Sequence, residues 1–205
     1  MKKFGIFVIK PDAINMHDLK IIQNVFDKHG FAKKICFLLK NYCELMQKYR
    51  EADILFKNSQ NAEEEFKGCG VALSAYKQLY ANSNGVLVLI PLGKESFKEF
   101  YDKANDAKHE IRKKIEEDRG YCFAYTNYLT NPQLTKMSHE VYHELKDKDK
   151  KNINKAYING IHLEDYECLE NNFCLNFMVE NGVIAKINKV DLNQLTYDLQ
   201  DGRIY

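Results

Sequence analysis

An α+β fold is expected for this chain of 205 residues, and three observations carry that expectation. Short apolar runs of strand length alternate with longer segments of helical periodicity. Stop and turn residues, namely Gly30, Asn84-Gly85 and Pro91, fall between those segments. The composition supports a packed core, with 45% hydrophobic residues and a net charge of only +1. The expected order is β-α-β-α-α-β-α, an insertion, then α-β and a tail. It makes one domain over residues 1–205, with an insertion over about 113–156.

Each element has its own warrant. Phe4, Ile6 and Val8 alternate with Gly5, Phe7 and Ile9 in a mostly apolar run, as in a strand covered on both faces. Lys10-Pro11-Asp12 closes that run. Asp18 to His29 is periodic through Leu19, Ile22, Val25 and Phe26, and Gly30 is a ready helix stop. Phe31 to Leu39 reads as a second strand. Tyr42 to Ala52 reads as a short helix carrying Leu45, Met46 and Tyr49. A polar stretch from Lys57 to Lys67 leads to a helix over Val71 to Tyr80. Val86 to Ile90 is an apolar strand ended by Pro91. Ser96 to Glu117 reads as a long charged helix with Phe97, Phe100, Tyr101, Ala104 and Ala107 on one side.

The insertion holds several tyrosines, a turn at Pro132 and the charge run Lys146 to Lys151, which reads as a solvated helix end or loop. Asn159-Gly160-Ile161-His162 then opens a helix-like stretch leading into the apolar run Phe173 to Val179.

Bulk properties narrow the function classes. A charge near zero gives no strong nucleic-acid signal, since such binders usually carry a basic excess. No stretch is long and apolar enough to span a bilayer, so no membrane role is expected. Met1-Lys2-Lys3 precedes only a short apolar run without a small-residue cleavage site, which favours a strand over a signal peptide. The six cysteines, at 36, 43, 69, 122, 168 and 174, form no CxxC pair and lie mostly in apolar runs. A reducing, cytoplasmic compartment is the simple expectation.

Two short motifs carry chemistry. A lysine held at a strand end is a point charge suited to phosphate oxygens. A histidine held at the edge of a helix can accept a phosphoryl group as a nucleophile. Lys10-Pro11-Asp12 after the first strand, and Asn159-Gly160-Ile161-His162 far downstream, together resemble the nucleoside diphosphate kinase family. Other segments are similar in the same order. Tyr49 falls where the family has a phosphate-approaching tyrosine. Arg112 matches its phosphate-binding arginine, with Glu110 in place of a threonine. Asp165 matches an aspartate three residues past the histidine, and Phe173 to Phe177 matches the last strand.

The resemblance implies a ferredoxin-like antiparallel sheet covered by helices, with the insertion before the last helix-strand unit. It implies transfer of the γ-phosphate of a nucleoside triphosphate to a nucleoside diphosphate through a phosphohistidine at His162. Lys10, Tyr49, Arg112 and Asn159 would bind nucleotide and phosphate, with Mg²⁺ bridging phosphate oxygens. A homo-oligomer is implied as well.

The departures are specific. Asp102 and Lys103 stand where a second phosphate-clamping arginine is expected, and Glu164 stands at a serine position. Asn172 replaces the glutamate that orients the histidine, with Glu170 the nearest substitute. Arg119-Gly120 is a rival alignment for Arg112. The alternative function is therefore a catalytically impaired nucleotide-binding or regulatory relative. A competing motif, His139-Glu140-Val141-Tyr142-His143, is the HExxH string of zinc metalloproteases, in which two histidines share a Zn²⁺ on one helix face. A charge run follows it at once, so it lacks apolar surroundings. Taken singly, Lys10 reads as a solvated strand-end lysine, Tyr49 as a core residue on a helix face, and His162 as a satisfied histidine.

Overall fold

The computed structural model describes residues 3–57, 76–118 except 78, 158–185 and 189–192, together with 144, 146 and 194. Its elements are β1 (Phe4–Ile9), a 3₁₀ turn (Pro11–Ala13), α1 (Met16–Lys28), β2 (Ile35–Leu39), α2 (Tyr42–Lys57) and β3 (Gly85–Pro91). They continue with α3 (Phe97–Asp118), β4 (Ile161–Leu163), α4 (Tyr166–Glu170), α5 (Phe173–Glu180) and β5 (Lys189–Val190).

The strands form one antiparallel sheet in the order β4-β1-β3-β2-β5. β1 and β2 therefore run parallel two places apart with α1 between them in the chain, and β3 and β4 are related in the same way with α3 following β3. This split β-α-β pattern is compatible with a ferredoxin-like arrangement. The fold is α+β, as the sequence predicts.

Residues directly opposite across an antiparallel pair share a face. Gly5, Phe7 and Ile9 face α1 and α3. Phe7 meets Phe26 at 5.1 Å between ring centroids, and a Cβ on Gly5 would lie 2.5 Å from Phe100 Cε1. Glycine there lets α3 sit directly on the strand. Ile161 and Leu163 oppose Ile9 and Phe7, so they join this layer, and alternation carries His162 to the other face. That second face is covered by α2, whose Tyr42 lies over Gly85. α5 joins it there, with Phe177 5.2 Å from Tyr49.

Four boundaries depart from expectation. The second strand begins at Ile35, because Phe31 turns into the aromatic cluster with Phe26 and Phe100. α2 runs on to Lys57 rather than ending at Ala52. His162 sits in a strand, where the sequence suggests the start of a helix. Three residues are too few to show a period, and Ile-His-Leu is equally a buried-polar-buried strand. Phe173 to Val179 is a helix where a final strand is expected. An apolar run does not by itself distinguish a buried strand from a buried helix. Here Phe173 and Phe177, four residues apart, both meet Tyr49. The chain from Ile161 thus runs strand then helices, with β5 after them.

α3 extends through Asp118, so the first residues assigned to the insertion are helical. The remainder of the insertion, the HExxH string, Arg119 and most of the helix expected over Val71 to Tyr80 lie outside the described residues. Within that last segment Tyr76, Lys77, Leu79 and Tyr80 are helical. Among the described residues, no helix is long and apolar enough to cross a membrane.

Candidate functional site

The two sequence motifs meet at the end of β1. The backbone N–H of Lys10 donates to the carbonyl of Gly160 at 2.8 Å. The N–H of Gly160 donates to Asp12 Oδ2 at 3.0 Å, while Tyr80 donates its hydroxyl to Asp12 Oδ1 at 2.7 Å. Gly160 takes φ +72, a left-handed conformation that glycine enters without a Cβ penalty. It turns the chain sharply from Asn159 into β4. Asn159 Oδ1 then accepts from Lys10 Nζ at 2.7 Å. Asp12 thus staples the turn after β1 to the loop before β4.

Charge is concentrated here. Lys10 is buried, and its ammonium lies 5.4 Å from the ring centroid of Tyr76. Burial lowers its pKa from 10.5 to about 7, with Arg112 and Arg50 pushing the same way and Asp12 resisting. Arg112, also buried, reaches from α3 and donates Nε and Nη2 to the carbonyl of Ile161 at 2.9 and 2.7 Å. It fixes the residue immediately before His162.

His162 presents 18% of its side chain to solvent, while its Nε2 lies 3.8 Å from Glu164 Oε2. That distance is too long for a direct hydrogen bond. Nε2 is shut off from solvent and has no hydrogen-bond partner. Burial lowers the pKa of the ring, and Glu164 pulls against it. Burial also works to raise the pKa of Glu164, but His162, Arg50 and Tyr49 outweigh it and bring the carboxyl down to about 2. Tyr49 is fully buried behind Glu164, with its hydroxyl 3.0 Å from Cys174 Sγ. Burial pushes the phenol pKa far up, so its oxygen stays neutral.

A further layer lies on α2. Arg50 Nη1 is 3.2 Å from Asp53 Oδ2, Lys57 is 3.3 Å from the same carboxylate, and Cys168 Sγ donates to Asp53 Oδ1 at 3.1 Å. One ligand atom each from Asp53, Glu164 and Cys168 lies within 4.8 Å of the others. A cation could be held there, although Arg50 and Lys57 already neutralise Asp53. Mg²⁺ needs little from the protein, since it usually keeps several waters and binds through substrate phosphates.

The structure brings Lys10, Asn159, Arg112 and His162 together around the β1–β4 end and sets Tyr49 beneath Glu164. Glu110 lies on the other side of α3, paired with Lys28, His29 and Lys114. Asp102 pairs with Lys98 and Lys103 with Glu95. Glu170 accepts from Tyr166 at an exposed position, and Asn172 occupies the left-handed turn before α5.

The histidine's carboxylate partner is instead Glu164, which the sequence reading treats only as a departure. The spacing of His162 and Glu164 is the missed signal, because residues two apart share a face once the segment is a strand. Arg50 is missed too, although Arg50, Asp53 and Lys57 fall at helical i, i+3 and i, i+4 spacings. Two concavities lie elsewhere, one bordered by Lys40, Glu44, Lys48 and Gly182, the other by Lys34, Cys36 and Asp191. No protein-family model, curated protein or solved structure matches the chain.

Proposed function

We propose that the protein transfers a phosphoryl group between nucleotides through a phosphohistidine at His162, the chemistry of the nucleoside diphosphate kinases its motifs resemble. The observation that carries this reading is the setting of His162. Its ring is partly open to solvent, one nitrogen faces a buried carboxylate, and lysine and arginine charges converge on it.

Nε2 keeps its proton and points toward Glu164, so Nδ1 carries the lone pair and is the nucleophile. Nδ1 attacks the γ-phosphorus in line, the bond from phosphorus to the β–γ bridging oxygen breaks, and the nucleoside diphosphate leaves. Positive charge developing on the ring is offset by Glu164. The oxygen of a second diphosphate then attacks the phosphohistidine, and Nδ1 recovers its lone pair, as in ping-pong transfer. Lys10, Arg112 and Arg50 would neutralise the transferring group, the main contribution a protein makes to such reactions. Mg²⁺ arriving with the nucleotide would supply further positive charge to the phosphates, held mainly by the substrate and water.

A second reading, nucleotide binding without transfer, is favoured by one observation. Lys10 Nζ is engaged by Asn159 and holds its proton only to about pH 7. Incubation with γ-labelled ATP and Mg²⁺ separates the two. Transfer predicts an acid-labile label, absent from His162→Ala and discharged by added nucleoside diphosphate. ATP binding without any label would leave the second reading.

A further inference from the structure

We infer that Asp53, Glu164, Cys168 and His162 form a zinc site, and that zinc bound there shuts off the nucleophile of the proposed transfer. The site stands on its own geometry, and only its effect on transfer rests on the phosphohistidine reading.

The first argument is convergence. Asp53 comes from α2, Glu164 follows β4 and Cys168 belongs to α4, and all three are buried. One ligand atom of each lies within 4.8 Å of the other two. Cys168 Sγ is 3.1 Å from Asp53 Oδ1, and Glu164 Oε2 is 3.8 Å from His162 Nε2. A tetrahedral zinc with bonds of about 2.0–2.3 Å holds its ligand atoms roughly 3.3–3.8 Å apart. Closing the cluster onto the ion takes shifts of about 1 Å.

The second argument is an orphaned atom. His162 Nε2 is shut off from solvent and has no hydrogen-bond partner, so the ring's exposure belongs to its other atoms. A buried polar atom without a partner calls for an explanation. An ion held by the carboxylate that Nε2 faces supplies one.

The third argument is the setting of the two carboxylates. Glu164 Oε1 accepts from the N–H of Asp165 at 3.1 Å, which leaves Oε2 toward His162. Arg50 holds Asp53 Oδ2, and Oδ1 accepts the Cys168 thiol. Each carboxylate is oriented through one oxygen and presents the other, as supported metal ligands are. Lys57 lies 3.3 Å from Asp53 Oδ1 but 2.7 Å from Asp165, so Asp165 takes most of its charge. Arg50 stays where it is. Two carboxylates and a thiolate then face zinc and one guanidinium, and the set is neutral.

The donors also choose the ion. Thiolate and imidazole favour zinc, whereas Mg²⁺ prefers oxygen ligands and water. Binding sends the thiol proton, now donated to Asp53, into solvent. Zinc takes the lone pair of Nε2, and the ring's one proton moves to Nδ1. The lone pair that would attack phosphorus is then gone, and transfer stops.

The test begins with Co²⁺ titrated into the zinc-free full chain. We expect stoichiometric Co²⁺ to raise the intense near-ultraviolet thiolate-to-cobalt band, zinc to abolish it and Cys168→Ser to lack it. His139→Ala, in an HExxH string that contains no cysteine, should keep it. In a second arm, zinc-loaded chain freed of excess metal meets γ-labelled ATP and Mg²⁺. Labelling should stop and return with a zinc-selective chelator. Cys168→Ser should need at least about tenfold more zinc for the same inhibition, since even a ligand's supporting partner is worth that much affinity.

A folded wild type without the thiolate band, or a band that survives in Cys168→Ser, would overturn the site. If Cys168→Ser does not fold, Glu164→Gln replaces it. Co²⁺ affinity at least about tenfold weaker there supports the site, and unchanged affinity overturns it. The band together with full labelling of zinc-loaded chain would overturn the effect on transfer. If zinc-free wild type does not label, the transfer reading fails, and the site is judged on the band alone.

Discussion

Lys10 is the residue whose energetics and proposed role pull hardest against each other. Unfolded, it holds its proton to about pH 10.5, and folded only to about 7. Between those values the unfolded chain binds more protons, so stability rises as pH climbs from 7 to 10.5. Below pH 7 the buried charge costs its full amount, a few kcal/mol at roughly 1.4 kcal/mol per unit. The bond to Asn159, made by a charged donor, returns only about 1.5–3 kcal/mol of it. Lys10→Met should therefore melt higher than wild type at pH 6, with the gap closing by pH 10, while phosphohistidine labelling is lost. A variant that melts lower than wild type at pH 6 would show that the charge stabilises the fold. Under the proposed transfer, the same residue would set the alkaline side. His162 must be neutral to attack, and its lowered pKa meets that need from below pH 6.5 upward. The ratio kcat/KM should rise through that value and fall past about pH 7, while kcat, read with phosphate already on Lys10, stays flatter. A kcat/KM that holds level to pH 9 would exclude Lys10 as a needed cation.

At the scale of elements, the turn at Gly160 that leads into β4 decides whether the two motifs meet. Gly160 combines φ +72 with a close approach, since a Cβ there would sit 2.6 Å from Ile115 Cδ1 and 3.3 Å from Ala13 Cβ. Gly160→Ala should lose about 1–3 kcal/mol from backbone strain alone. It should also weaken the Lys10–Gly160 link that aligns the two motifs, so chemical denaturation and labelling should decline together. An unchanged midpoint would mean the loop has an alternative path. Much of the rest was legible in the sequence. α1 and α3 are long enough for their periods to show, β1 and β3 are strand-length apolar runs with clear stops, and Asn15 caps α1. β4 and α5 were not legible, for opposite reasons. β4 has too few residues to carry a period, and Phe173 to Val179 is apolar at every position but Asn176, too uniform to show one. The candidate site follows the same division. Lys10, Arg112, Asn159 and His162 were found from motif order. Glu164 and Arg50 take their meaning from a strand face and a helix face that only the fold defines.

Across the whole molecule, the site sits at a lightly paired edge of the sheet. β3 is hydrogen-bonded on both sides, to β1 over six residue pairs and to β2 over five. β4 lies at the edge and pairs with β1 over only three. Opening free energies in native proteins run from near zero at sparsely held edges to the global value in the core. The amides of Lys10 and Glu164, which donate across the β1–β4 junction to Gly160 and Ile6, should therefore exchange through a smaller opening than those of β3. Phosphate captured by Lys10 and Arg50 would hold β4 in register, because Lys10 is tied to Gly160 through its backbone. A nonhydrolysable ATP analogue with Mg²⁺ should then slow exchange at Lys10 and Glu164 several-fold, and leave β3 almost unchanged. Equal slowing of both would mean that binding stabilises the whole fold without acting through the junction. Slowing of neither, at saturating analogue, would place the nucleotide away from β4 and separate its binding from His162.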